Sequence, residues 1–182
     1  MTYSGFTFVH NAKIGGYPVH EAVLAVQPFV SEIVAVNMQS TDDTRADLIS
    51  LGCRVIDAPW GTKAETTLCH AYAEHVRCKN ENIIVFEADE VWDPKLLRAA
   101  ISLVEQGFEN LAVHRLQLTE NFQRCRWYPE PVHRIIKRGQ AHKDPTRGHT
   151  TKEHESAIVI PPQHGFLWDI TNCFRDSYAA RA

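Results

Sequence analysis

The sequence has no long apolar run: no stretch of its 182 residues approaches the roughly 20 consecutive apolar residues that a membrane-spanning helix needs. The first residues, Met1-Thr2-Tyr3-Ser4-Gly5, have neither the basic start nor the apolar core of a secretory leader, so none is expected. Neither sign of charge is in excess. Lys and Arg number 19 against 22 Asp and Glu, a formal net charge of -3, which provides no overall attraction to nucleic acid. Arg134, Lys137, Arg138 and Lys143 fall close together in sequence, which leaves room for a local basic patch. The five cysteines (Cys53, Cys69, Cys78, Cys125, Cys173) are an odd count without a C-x-x-C pair. That argues against a disulfide framework and a thiolate zinc site, and predicts a reduced, cytoplasmic setting. Neither G-x-G-x-x-G nor G-x-x-x-x-G-K-[ST] occurs, which excludes the glycine loops of dinucleotide and P-loop proteins. The absence of G-x-S-x-G argues against a serine hydrolase elbow.

What is present is a globular composition, 44% hydrophobic and 23% charged, arranged as alternating strand and helix patterns. Gly5–His10 reads as a strand, and Pro18 then precedes Val19, Ala22, Val23, Val26 and Val30 at helical spacing. Glu32–Gln39 has the near-continuous apolar middle of a strand buried on both faces. Ser40 and Asp43 resemble a capping box for a helix that runs to Leu51 and stops at Gly52. Cys53–Ala58 is the third strand, followed by a helix over Lys63–Arg77. Ile83–Phe86 is the fourth strand, and Asp93-Pro94 opens a helix that ends at Gly107. Four βα units in succession predict a parallel sheet covered by helices. Beyond Gly107 the rhythm changes to strands at Leu111–Leu118, Val132–Lys137 and Ala157–Ile160. The expectation is a single domain over 1–182, with βα units in 1–107 and a small α+β extension in 108–182.

Ligands of open α/β sheets collect outside the carboxyl ends of the strands. Those ends carry His10-Asn11, Asn37 with Gln39 to Asp43, Asp57, and Glu87 to Glu90. Glu87 and Asp89 are two residues apart, so in an extended segment their carboxylates share one side and repel unless a cation neutralises them. Mg²⁺ or Mn²⁺ suits such oxygen ligands and bridges carboxylates to substrate phosphates. The alternative from the residues alone is an acidic turn that caps the following helix and binds water.

Three segments resemble the inverting glycosyltransferase family 2, whose fold is GT-A, the nucleotide-diphospho-sugar transferase type. Ser40-Thr41-Asp42-Asp43-Thr44 is similar to the family's V-D-D-G-S-x-D-x-T segment. Gly61 before the third helix keeps the family's spacing, and Phe86-Glu87-Ala88-Asp89-Glu90 resembles the L-D-A-D-E of relatives that modify lipopolysaccharide cores. The likeness spans Gly5 to Pro94. It implies a Rossmann-like sandwich with a mostly parallel central sheet, and transfer of a sugar from a nucleotide-diphospho-sugar donor to the hydroxyl of a glycan or other acceptor. It further implies Asp89 as the ligand of Mn²⁺ or Mg²⁺, with Glu87 at the metal or the ribose. Lys152-Glu153-His154-Glu155 resembles a V-H-E segment of the same relatives, which makes Glu155 the candidate general base. His164 then corresponds to a later metal-contacting histidine. His10 and Asn37 fall on the nucleotide side, Asn37 where the family has an acid. The family's Arg-Asn pair falls on Thr66-Thr67, and Lys63, one turn earlier, is the candidate replacement cation. Two other classes share the layered plan: a sugar nucleotidyltransferase, and a degenerate protein that binds a nucleotide or glycan without transfer.

Overall fold

The computed structural model of the chain describes residues 2–60, 70–108, 111–119, 124–127, 131–139 and 158–170. Its first half repeats one unit. Strand β1 (Tyr3–Val9) is followed by a short helix α1 (Ala12–Gly15) and by α2 (Val19–Val26). Next come β2 (Glu32–Asn37), α3 (Thr44–Ser50), β3 (Arg54–Asp57) and β4 (Asn82–Val85). A three-residue strand β5 (Glu90–Trp92) leads into α4 (Pro94–Glu105). The later strands are β6 (Leu111–Val113), β7 (Arg115–Thr119), β8 (Arg124–Trp127), β9 (Val132–Lys137), β10 (Ile158–Val159) and β11 (Leu167–Asp169).

Among the described residues the strands form two sheets. The larger has seven strands in the order β10-β6-β9-β4-β1-β2-β3, and β4, β1, β2 and β3 are mutually parallel. β9 runs antiparallel to both β4 and β6, which leaves the sheet mostly parallel as the βα rhythm predicts. The smaller sheet has four strands in the order β5-β11-β7-β8. Leu111–Leu118, which reads as one strand in sequence, is therefore divided at His114 between the two sheets.

Both faces of the large sheet are covered, which explains its unbroken apolar strands. One face packs Ile33, Ala35, Ile84 and Phe86 under α2, Leu48 of α3, and Leu96, Leu97, Ala100 and Val104 of α4. The other face packs Phe6, Val34, Val36, Ile83 and Val85 against Ala71 and Tyr72. Asp93 caps α4, its Oδ1 accepting the Lys95 N–H at 2.7 Å with Pro94 in the first turn, as its sequence signature predicts. The Ser40–Asp43 box does not form. Ser40 Oγ accepts the Asn11 N–H at 2.9 Å, and α3 starts at Thr44, whose N–H is held by Asp42 Oδ1 at 3.0 Å.

Candidate active site at the strand ends

The carboxyl ends of β1, β2 and β3 lie side by side, with Val9 opposite Asn37 and Asn37 opposite Asp57. Asn37 is buried, and its Nδ2 donates to Asp57 Oδ1 at 2.8 Å while its Oδ1 accepts the Ser40 N–H at 3.3 Å. The side-chain oxygen of Asn37 is thereby oriented by a carboxylate on the next strand. Asp57 is gripped in turn by Arg45 Nε at 3.1 and 3.2 Å. Arg45 first, and Asn37 second, hold the Asp57 carboxyl below its ordinary value.

His10 continues the same rim. Its Nδ1 lies 2.6 Å from the Met38 carbonyl, which can only accept, so the proton sits on Nδ1 and donates. Nε2 is then the acceptor for Asn11 Nδ2 at 3.1 Å. The fixed ring stacks on Trp60, with centroids 3.9 Å apart and planes 29° from parallel. The Trp60 backbone N–H donates to Gln39 Oε1 at 3.0 Å, and Trp60 is 48% exposed, so an aromatic face borders the rim. Sequence reasoning placed His10 and Asn37 together here but passed over Trp60. Its signal is an indole directly behind Pro59 at a strand exit, a place with no core to fill.

β4 ends where Phe86 donates its N–H to the Phe6 carbonyl at 3.0 Å. The chain then turns at Ala88 and Asp89 before β5: the Glu90 N–H donates to the Glu87 carbonyl at 3.0 Å, closing the turn. The alternation expected of Glu87 and Asp89 does not apply in a turn, and the Glu87 carboxylate meets Arg134. Arg134 Nη2 donates to Glu87 Oε1 at 2.9 Å and to Glu90 Oε1 at 2.6 Å, while its Nε donates to Glu90 Oε2 at 2.8 Å. Glu90 Oε2 also accepts the Glu87 N–H at 3.0 Å. Arg115 Nη1 stands 3.7 Å from both Glu90 Oε1 and Asp169 Oδ2. Burial alone would weaken the hold of the Arg134 guanidinium on its proton, but Glu90 and Glu87 outweigh it and drive the value well up. Burial pushes the Tyr72 hydroxyl, beside this cluster, up as well. Arg134 sits in V-H-R-I-I-K, and an arginine within an apolar strand signals a buried acidic partner.

Asp89 is partly buried at the tip of this turn, and its carbonyl accepts the Ile170 N–H at 2.9 Å. His164 is exposed and lies elsewhere. Asp169 pairs with Glu90 and Leu167 with Trp92, so His164, three residues before Leu167, falls at the opposite end of the β5–β11 ladder from Asp89. A side chain added at Gly165 would start 2.8 Å from the Asp93 carboxyl, which fixes that end of the chain beside α4. Lys63, Thr66, Thr67 and Glu155 lie outside the described residues. Among the described residues no three His, Cys, Asp or Glu side chains are grouped to hold a metal ion.

Neither a protein-family model nor a curated protein matches the sequence. Solved structures do. S. aureus TarS 1-349 matches with a TM-score of 0.50 at 16% identity, covering 71% of this chain and 39% of that one. A mycobacterial protein matches with a TM-score of 0.50 at 14% identity, covering 67% of this chain and 43% of that one. Glucosyl-3-phosphoglycerate synthase from Mycobacterium tuberculosis, in complex with Mn²⁺, UDP and glucosyl-3-phosphoglycerate, matches with a TM-score of 0.48 at 17% identity, covering 64% of this chain and 44% of that one. The match spans less than half the length of each of these chains. The fold is the GT-A type of α/β sandwich with a mostly parallel central sheet.

Proposed function

We propose that the chain is a metal-dependent glycosyltransferase that moves a sugar, with inversion, from a nucleotide-diphospho-sugar donor to the hydroxyl of a glycan or other acceptor. The observation that carries this reading is the acidic turn at the exit of β4, alongside a polar rim built by β1, β2 and β3. A GT-A fold alone does not fix an activity. The rim supplies the rest: a stacked aromatic pair, an oriented amide and a carboxylate-bearing turn within one edge of the sheet.

In this reading the Trp60 face, with His10 stacked behind it, borders the nucleoside, and Asn37 at the end of β2 lies on the same side. Asp89 fits Mn²⁺ or Mg²⁺, being a hard oxygen donor on a turn whose two ends are tied together. When bound, such a cation supplies Lewis acidity toward the departing nucleoside diphosphate. Glu155 is proposed to take the proton of the acceptor hydroxyl and Lys63 to face the phosphates. The reading also places the protein in the cytoplasm. Among the described residues no helix is long and apolar enough to cross a membrane.

The test is thermal unfolding with Mn²⁺ and UDP or GDP. A ligand at about 100 times its Kd adds about 2.7 kcal/mol of stability to a fold that alone binds it. The expected result is a rise in Tm that needs both metal and nucleotide and is lost in Asp89→Ala. No rise with either nucleotide speaks against the proposal. A second reading, a nucleotide- or glycan-binding protein without transfer, is favoured by Asn37, an amide where the relatives carry an acid. Donor turnover that is equal in wild type and Asp89→Ala supports that second reading.

A further inference from the structure

The resemblance gives the cation to Asp89 and leaves Glu87 at either the metal or the ribose, and the geometry ties Glu87 to Arg134. Glu87 is engaged at both ends: its side chain accepts from Arg134, and its backbone N–H donates to Glu90 Oε2. Glu90 is 1% exposed at its side chain and Arg134 6%, so this pair is locked in the protein interior, tying β5 to β9. A guanidinium is a planar fork, and here it reaches two carboxylates at once, with Nη2 shared between Glu87 and Glu90 and Nε on Glu90. The residues it clamps are the first and last of the turn. Asp89 lies between them, and its own carbonyl is fastened by Ile170 beyond the end of β11.

We propose that Arg134 is a positioning residue for the cation site: it binds Glu87 and Glu90 together, so that Glu87 locks the turn rather than ligating the cation, and the locked turn presents Asp89 to a diphosphate-bound metal. The inference rests on the transferase reading above and assigns the members of its acidic turn to different tasks. Ammonium in place of guanidinium keeps the charge but cannot span both carboxylates in one plane. Glutamine at position 87 keeps an oxygen for Arg134 to donate to but removes a charged metal ligand.

The experiment follows Mn²⁺ binding by electron paramagnetic resonance in the presence of UDP or GDP. It compares wild type, Glu87→Gln, Asp89→Asn and Arg134→Lys, with hydrogen exchange at the Glu87 and Glu90 amides read on the metal-free proteins. Glu87→Gln should stay within about threefold of wild type, whereas Asp89→Asn and Arg134→Lys should each lose about tenfold or more in Mn²⁺ affinity. Arg134→Lys should also exchange both amides faster, because both are donors within the turn. Equal losses in Glu87→Gln and Asp89→Asn make Glu87 a ligand and overturn the assignment alone. Wild-type affinity and unchanged exchange in Arg134→Lys overturn it too. If Arg134→Lys does not fold, Glu87→Gln decides the question by itself. Wild-type protein that takes up no Mn²⁺ with either nucleotide refutes the transferase reading, and this assignment with it.

Discussion

Arg134 enters a sheet interior at the expense of its hydration, and its partners are what make that tolerable. A buried ion pair adds little net stability over a well-packed apolar pair, but removing one partner strands the other charge without water. Glu90 is the vulnerable member of this arrangement, since its side chain is 1% accessible while Glu87 is 34% accessible and can rehydrate. Arg134→Met should therefore cost about 3–5 kcal/mol in urea unfolding, and adding Glu90→Met should restore most of that loss. A double variant no more stable than the single one would show that the cost lies in packing rather than in the stranded carboxylate. Gly165 is constrained in another way, at φ 115 with the Asp93 carboxyl 2.8 Å from where a Cβ would stand. Gly165→Ala should lower stability by about 1–3 kcal/mol through backbone strain alone.

At the level of helices and strands, what could be read from sequence follows from how much local information each segment holds. β1, β2 and β4 are apolar runs between turn residues, and burial on both faces gives them a pattern that tertiary contacts only reinforce. The start of α4 was equally legible, because Asp93 and Pro94 act on their own neighbours. Asp93→Ala should cost about 1 kcal/mol in thermal or urea unfolding, and Leu97→Ala, in the apolar stripe below it, about 2–5 kcal/mol. The segments that were not legible take their conformation from distant partners. β5 and β11 are three residues each and exist through pairing with each other, Leu167 with Trp92 and Asp169 with Glu90. Ser40 had the letters of a cap, but the Asn11 backbone, 29 residues away, claims its hydroxyl. The acidic turn was legible as a candidate by its position after β4. Its internal division was hidden because Arg134 is 44 residues from Glu90 in sequence.

Across the whole molecule, the ion cluster joins the two sheets: Arg134 belongs to β9 of the larger, Arg115 and Asp169 to β7 and β11 of the smaller. A second polar knot closes the opposite edge. Glu32, at the start of β2, accepts from Ser4 of β1 at 2.8 Å, from Arg54 of β3 at 3.3 Å and from the Lys79 N–H. Burial raises the Glu32 carboxyl, but those donors outweigh it and hold the value below the ordinary range. Asp42 behaves likewise, burial opposing and the donors around Thr44 and Ile14 prevailing, and Asp57 is held down by Arg45 and Asn37. Each folded value is lower than the unfolded one, so their contribution is complete above the unfolded value and is lost as pH falls through the folded one. The urea midpoint should accordingly hold steady from neutrality to about pH 5 and decline below about pH 4. Glu32→Gln should be less stable at neutral pH and show a shallower decline in acid.

Crystals soaked with Mn²⁺ and UDP or GDP, measured at the manganese absorption edge, put the proposed site to a decisive trial. An anomalous peak about 2.0–2.3 Å from an Asp89 carboxylate oxygen, bridged to the diphosphate with the nucleoside along the His10–Trp60 rim, is the expected result. A nucleotide bound away from β4, or a peak with no bond to Asp89, would contradict it.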